Sequence, residues 1–183
     1  STLYPLTLGA SVYTVGTSKL KYMRVYELME DEELTFVAMP PSLLQFLSPY
    51  FGEIHVPKLK YLIVTAEAAN ADLLQRFRAC APNAEFVNLY GPTEATIYCT
   101  AYRIPPEDCK QHNGMIAIGH PFTGINTMIM DEKETPVQTG EQGELWVSGE
   151  QVMQGYWQDE EKSRQVFARF NGKEYYKTGD LCS

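Results

Sequence analysis

The sequence predicts an α/β fold, in which a partly parallel sheet with flanking helices spans residues ~11–98 and a β-rich segment follows. Three observations support this prediction. The chain has 183 residues and 44% hydrophobic content, enough to bury the core of one domain. Short apolar runs alternate with amphipathic segments up to residue 98. Beyond that point, helical periodicity gives way to short strand patterns separated by turn residues.

The first half shows strand, helix and strand patterns in alternation. Gly9 is a plausible helix stop, and the predicted strands cover residues 11–15, 35–38, 61–65 and 85–89. Ser18 is the predicted cap of a helix reaching about Met29, whose approximate apolar face consists of Leu20, Met23, Tyr26, Leu28 and Met29. Short links between strands and helices imply a parallel sheet with right-handed crossovers.

Two more helices are predicted between these strands. The Pro40-Pro41-Ser42 run breaks the chain and caps a helix over residues 43–47. Asn70 caps a helix over residues 71–80, which turns its apolar side chains inward (Leu73, Leu74 and Phe77).

The second half is predicted to be mainly strands and turns. Strands are expected at residues 100–103, 126–130, 144–147 and 174–177, with turns at 131–134 and 139–141 and one helix at 160–167. No repeat or linker is evident. We therefore expect residues 1–183 to form one piece of a larger subdomain, without an internal boundary.

Composition narrows the class of protein. The net charge of -8 and the pI near 4.9 disfavour nonspecific binding to nucleic acids or anionic lipid. The four cysteines show no CxxC spacing, which favours reduced thiols in a cytoplasmic protein. No apolar run approaches the ~20 residues that a membrane span requires, and no signal peptide is evident.

The most informative stretch is Asn-Leu-Tyr-Gly-Pro-Thr-Glu, residues 88–94. It follows a predicted strand and supplies a flat aromatic face, a turn, a hydroxyl and a carboxylate, which suit a base, a phosphate and a cation. Ligands of open α/β sheets bind beyond the carboxyl ends of the strands. Because the strand at residues 61–65 ends at Thr65-Ala66-Glu67-Ala68, we expect both strand ends to meet in one crevice.

Each candidate residue also has an ordinary structural explanation, which the sequence alone leaves open. Asn88 would satisfy backbone groups in the turn, and Tyr90 would be a half-buried aromatic. Thr93 and Glu94 suit the first turn of a helix as cap and acid. Asp180 suits an Asx turn.

Residues 88–94 closely resemble the core motif of amino-acid-activating adenylation domains, which belong to the adenylate-forming superfamily. Two further stretches are similar to motifs of this family, in the same order: Gly-Glu-Leu-Trp-Val-Ser-Gly at 143–149 followed by Gly155-Tyr156, and Tyr-Lys-Thr-Gly-Asp-Leu at 176–181. Nonribosomal peptide synthetase adenylation domains and D-alanine–carrier protein ligases are the types indicated.

The resemblance implies a role for each motif residue. Asn88 would face the adenine amino group, Tyr90 would stack on adenine, and Asp180 would accept both ribose hydroxyls. Thr93 would contact the α-phosphate and Glu94 would bind Mg²⁺, which makes these two the catalytic residues. The remaining candidates are nucleotide contacts (Leu89, Gly91, Ala66 and Glu67) and acyl-pocket residues (Ile63, Thr65, Leu89, Ile97 and Tyr98). By contrast, Gly143, Glu144 and Gly155 are expected to be architectural.

The implied activity is ATP-dependent formation of an acyl-adenylate from a carboxylic substrate, most simply an amino acid, with release of pyrophosphate. The cofactors would be ATP, Mg²⁺ and the phosphopantetheine of a partner carrier protein. A fatty-acyl or aryl-CoA ligase of the same superfamily, or a non-catalytic nucleotide-binding scaffold, remains as an alternative. Family elements such as the lysine-containing phosphate loop are expected outside residues 1–183, so this stretch alone is expected to be inactive.

One departure from the family pattern concerns the second loop. Relatives usually have glycine before the glutamate, whereas this sequence has Ala66 before Glu67. The extra methyl group is either tolerated by the loop or reshapes the pocket.

Overall fold

The computed structural model describes residues 3–16 and 21–183. Its internal contacts divide the chain into two compact units, each described by itself below. The first unit comprises residues 1–87 and 104–116, and the second comprises residues 88–103 and 117–183.

The first unit is an α/β arrangement. Its elements are α1 (Leu3–Thr7), α2 (Lys21–Asp31), β1 (Phe36–Met39), α3 (Pro41–Leu47), β2 (Tyr61–Thr65) and α4 (Ala71–Phe77). Strands β1 and β2 pair in parallel, with Phe36 opposite Tyr61 and Met39 opposite Val64. The parallel pairing and the helix between the strands confirm the predicted fold class for this half.

Strand β3 (Glu85–Tyr90) begins in the first unit, next to β2, and ends in the second. The core of the first unit is built from fully buried side chains of helices, loops and strands: Leu44, Leu47, Leu59, Leu62, Phe77 and Phe86. Burying each of them stabilises the fold by about 1.5–3 kcal/mol relative to exposure.

Local capping explains the position of α4. The side chain of Asn70 accepts a hydrogen bond from Leu73 N at 3.1 Å, as the sequence predicts. The helix ends at Phe77 rather than at residue 80, because Cys80 N bonds to Phe77 O in a tighter turn.

Other local predictions need correction. Residues 11–15 form no strand, since this run is mostly exposed and has no regular structure. Pro40 of the predicted capping run occupies the N-cap of α3, but no side chain caps that helix, and it begins at Pro41 rather than at residue 43. The predicted cap Ser18 and the apolar residue Leu20 lie outside the described residues, whereas Leu28 and Met29 of α2 are buried as expected.

The second unit is mainly β-structure, as predicted. After β3 come β4 (Thr100–Ile104), the first-unit hairpin of β5 (Gln111–His112) and β6 (Met115–Ile116), then β7 (His120–Pro121), β8 (Asn126–Met130), β9 (Gly143–Ser148), α5 (Glu160–Val166), β10 (Phe167–Phe170) and β11 (Lys173–Cys182). Four of them form an antiparallel sheet in the order β10-β11-β9-β8.

Packing on this sheet fixes where the motifs lie. Trp146 of β9 is buried and packs against Tyr175 of β11. The pairing of β11 with β9 is irregular between Lys177 and Leu181, so the Thr-Gly-Asp motif sits at a bulge within one long strand. Strand β11 continues five residues beyond the predicted end at residue 177, and β10 was not predicted. Helices in the described part of the chain have at most 11 residues, and none is long and apolar enough to cross a membrane.

Candidate nucleotide site

The turn after β3 depends on glycine. A Cβ atom on Gly91 would lie 2.5 Å from Ile97 O and 2.8 Å from Cys99 N, closer than atoms can approach. The neighbouring contact is a backbone hydrogen bond from Cys99 N to Tyr90 O at 2.8 Å. Gly91 therefore allows the returning backbone to pass directly beside the strand end.

Thr93 and Glu94 lie in a three-residue 3₁₀ turn, Thr93–Ala95, rather than at the start of an α-helix. Pro92 occupies the N-cap and makes no side-chain cap, so the ordinary explanation of Thr93 as a helix cap is wrong. The following residues, Thr96 and Ile97, have φ values of 55° and 75°. Two successive left-handed residues are costly unless surrounding contacts hold them.

Those contacts come from the segment around Gln151. Its side-chain Nε2 donates to Ala95 O at 2.5 Å and to Tyr98 O at 2.6 Å. Thr96 Oγ1 donates to Gln151 O at 2.6 Å, and Met153 N donates to Glu94 O at 2.7 Å. Four hydrogen bonds from this one segment thus fix the turn that carries Thr93 and Glu94.

The carboxylate of Glu94 has a defined partner. The hydroxyl of Tyr156 donates to Glu94 Oε1 at 2.8 Å. This hydrogen bond is the main reason that the pKa of Glu94 lies below its usual value, opposed by partial burial. Glu94 is therefore held in its charged form.

Tyr90 and Asp180 form a second pair. The hydroxyl of Tyr90 donates to Asp180 Oδ2 at 2.5 Å. Burial, followed by the hydrogen bond to Asp180, raises the pKa of the Tyr90 hydroxyl, so it stays protonated as a donor. The structure thus joins two residues that the sequence analysis assigned to one nucleotide.

The Asp180 loop is anchored to β9. Gly179 N donates to Glu144 Oε1 at 2.8 Å, and Glu144 Oε2 accepts from Trp146 Nε1 at 3.0 Å. Thr178 Oγ1 donates to Leu145 O at 2.7 Å. Glu144 is therefore architectural, as expected, and positions the backbone next to Asp180.

The other second-unit candidates differ in exposure. Asn88 is buried, and its Nδ2 donates to Ala117 O at 3.0 Å. Its side chain therefore satisfies a backbone carbonyl group, as its ordinary structural explanation expects. Only its Oδ1 remains to accept a hydrogen bond from a ligand amino group. Leu89 and Tyr98 are half-buried, and Ile97 is 54% exposed.

Four candidates belong to the first unit. Ile63 is buried in β2 and Thr65 ends that strand. Ala66 follows with φ 71°, a conformation that favours glycine. The carboxylate of Glu67 accepts hydrogen bonds from Ser42 N at 2.8 Å and Ser42 Oγ at 2.9 Å. That these residues share a crevice with the second-unit motif stays a prediction.

Comparison with known proteins agrees with the motifs. The AMP-binding enzyme family matches residues 1–157. The chain belongs to this family. Novobiocin biosynthesis protein H of Streptomyces niveus is 32% identical over 186 residues, covering 99% of this chain and 29% of that protein. The D-alanine–D-alanyl carrier protein ligase of Streptococcus pneumoniae is 30% identical over 179 residues, covering 96% of this chain and 34% of the ligase.

A solved structure shows the same fold. The crystal structure of the Vibrio cholerae adenylation domain AlmE, in complex with glycyl-adenosine-5'-phosphate, matches with a TM-score of 0.86 and 25% identity. The match covers 97% of this chain and 34% of that one. The chain thus spans about a third of these relatives, and its likeness to an adenylation domain confirms the resemblance seen in the motifs.

The residues of this AMP-binding chain fit a magnesium ion of the kind that binds with a nucleotide. Within residues 3–16 and 21–183, no three His, Cys, Asp or Glu side chains are grouped as a metal cage. Mg²⁺ commonly binds through one or two carboxylates together with substrate phosphates and water. A single charged, oriented carboxylate such as Glu94 matches that chemistry.

Sequence reasoning missed three residues that hold the family motifs in place: Tyr156, Tyr176 and Gln151. Both tyrosines lie within motifs that the sequence analysis quoted, but nothing in the spacing indicates that Tyr156 meets Glu94, 62 positions away. Gln151 carries no sequence signal, because its bonds go to backbone carbonyls.

Proposed function

We propose that the protein activates a carboxylic substrate, most simply an amino acid, as an acyl-adenylate with release of pyrophosphate. The acyl group would then pass to the pantetheine thiol of a carrier protein. The observation that carries the proposal is a structurally fixed, charged Glu94 in the same unit as the Tyr90–Asp180 pair. Two relatives support the substrate class, since one is named as a D-alanine–carrier protein ligase and the other binds a glycyl-adenylate.

The second unit offers suitable groups for a nucleotide. The Tyr90 ring presents a face for adenine, and such stacking contributes about 1–3 kcal/mol by analogy with single-stranded nucleic acids. Asp180 would accept hydrogen bonds from the ribose hydroxyls through its two oxygens. The hydroxyl of Thr93, exposed on the 3₁₀ turn, would donate to an α-phosphate oxygen.

Glu94 would hold Mg²⁺, which when bound neutralises charge on the phosphates. The substrate carboxylate is itself the nucleophile, so the chain needs to position it and to stabilise charge rather than form a covalent intermediate. The turn at Thr93–Ala95 is suited to that task because hydrogen bonds from Gln151 already hold it in place.

The proposal is tested by ATP–pyrophosphate exchange in the full-length protein with a panel of amino, fatty and aryl acids. We expect amino-acid-dependent exchange, and at least a tenfold loss in Glu94→Gln, with metal-free ATP binding retained. The matched control is Glu150→Gln, an exposed glutamate outside the motifs. If Glu94→Gln stays within about threefold of the parent, a change of only ~0.7 kcal/mol, Glu94 does not hold the metal.

A further inference from the structure

Glu94 is surrounded by side chains to which the proposed function gives no role. The hydroxyl of Tyr156 donates to Glu94 Oε1 at 2.8 Å. The hydroxyl of Tyr176 interacts with both the Tyr156 hydroxyl and the Glu94 carboxylate. Lys162 Nζ lies 4.0 Å from the centroid of the Tyr156 ring. All four residues belong to the second unit.

The position of Tyr156 is fixed from its backbone outwards. Tyr156 N donates to Ser163 Oγ at 2.8 Å, and Ser163 Oγ donates to Asp159 O at 2.7 Å. Asp159 also caps α5 by accepting from Lys162 N at 3.0 Å. The start of α5 therefore holds Tyr156 in place without any ligand.

Tyr176 supports Tyr156 from the sheet. It lies in β11, is 6% exposed, and its ring packs edge-on against Phe167 of β10 at 5.8 Å between centroids. Burial is the main cause that raises the pKa of the Tyr176 hydroxyl, followed by its hydrogen bond to Tyr156. Tyr176 thus stays protonated close to Tyr156, which donates to Glu94.

We propose that Tyr156, backed by Tyr176, is a positioning residue for the cation site: it occupies Oε1 of Glu94 and orients Oε2 towards a hard divalent cation. The inference rests on the proposed role of Glu94. A carboxylate on a surface turn otherwise rotates about its terminal torsion, which is broad. Hydrogen bonding to one oxygen fixes the plane of the group, and it also favours the charged form that a cation requires.

The two hydroxyls are not needed to fill space, since phenylalanine keeps the ring in each case. Tyr156→Phe therefore removes the bond to Glu94 while keeping the ring beside Lys162. Tyr175→Phe is the matched control, because it removes a hydroxyl from the adjacent position of β11, where the ring packs on Trp146.

The experiment is calorimetric titration of the full-length protein with ATP, once in EDTA and once with Mg²⁺. The measured quantity is the factor by which Mg²⁺ strengthens ATP binding. We expect Tyr156→Phe to reduce this factor by about tenfold, the size of one charge-assisted hydrogen bond, and to leave the metal-free affinity unchanged. Tyr176→Phe should reduce it less, and Tyr175→Phe should not change it.

The outcomes separate the inference from the proposed function. If Glu94→Gln lowers the magnesium factor but Tyr156→Phe and Tyr176→Phe do not, the positioning role is overturned and the metal role of Glu94 stands. If the magnesium factor is unchanged in Glu94→Gln, both the metal role of Glu94 and the positioning role of Tyr156 are overturned. If Tyr156→Phe weakens ATP binding equally with and without Mg²⁺, the tyrosine is merely structural, and the inference fails.

Discussion

The Tyr90 hydroxyl donates to Asp180 Oδ2 across 90 positions of sequence. The bond joins the end of β3 to the bulge of β11 within the second unit. Its geometry places a carboxylate at the edge of an aromatic ring. Two hydrogen bonds hold the Asp180 side of this pair in position. One runs from Gly179 N to Glu144 Oε1, and the other from Thr178 Oγ1 to Leu145 O.

Asp180→Ala should weaken ATP and AMP binding alike, while 2′,3′-dideoxy-ATP is almost unaffected. A charged hydrogen bond to a ribose hydroxyl contributes about 1.5–3 kcal/mol, so the loss should be about tenfold or more. Calorimetric titration with both nucleotides measures it. In the control Tyr90→Phe, the ring and the carboxylate both remain, and ribose discrimination should persist. Equal losses for the ribose and dideoxy nucleotides in Asp180→Ala would contradict a ribose contact.

Gln151→Leu should destabilise the protein and weaken MgATP binding together. The substitution removes both donors to Ala95 O and Tyr98 O, which hold the turn containing the left-handed residues Thr96 and Ile97. Unmet backbone acceptors cost about 1–3 kcal/mol, measurable as the free energy of unfolding in urea. The control is Gln154→Leu, an exposed position three residues later. Equal stability of the two variants would show that Gln151 does not brace the turn.

The sequence predicts local features well where the cause is local. The Asn70 cap and the strand Tyr61–Thr65 follow from a capping residue and a short apolar run, and both are found. Residues 11–15 show a similar run that packs into no core, so periodicity alone misleads there. The motif residues were recognisable, but their partners were not, because the Tyr156–Glu94 and Tyr90–Asp180 bonds depend on tertiary folding.

Ala66, which stands where the family pattern has glycine, has a left-handed backbone conformation that the sequence alone does not show. The resemblance to the family implies glycine at this position, and the φ of 71° at Ala66 is one that favours glycine. Ala66→Gly should relieve about 1–2 kcal/mol of left-handed strain while adding about 0.4–1 kcal/mol of unfolded-state entropy. We therefore expect a net stabilisation of about 0–1.6 kcal/mol in urea unfolding. Ala68→Gly, an exposed position without a positive φ, should be destabilising instead. A loss of stability in both variants would show that Ala66 is not strained.

The size of the accepted substrate is the last prediction. None of the five expected acyl-pocket residues is charged, and Leu89 and Tyr98 are larger than the side chains that line a roomy pocket. The full-length protein should therefore prefer a small, uncharged amino acid, alanine-like or slightly larger. Leu89→Ala should shift preference towards longer apolar side chains.

Each additional buried methylene group contributes about 0.8 kcal/mol, so the ratio of exchange rates for a longer side chain over alanine should rise about fourfold per methylene. The exchange assay across alanine, valine and leucine measures this ratio. Leu8→Ala is the matched control, since Leu8 is 69% exposed and belongs to the first unit. Leu89 is half-buried at the end of β3, on the opposite face of the strand from Tyr90, so its truncation would enlarge a space apart from the Tyr90 ring. An unchanged substrate ranking in Leu89→Ala would place the acyl group elsewhere.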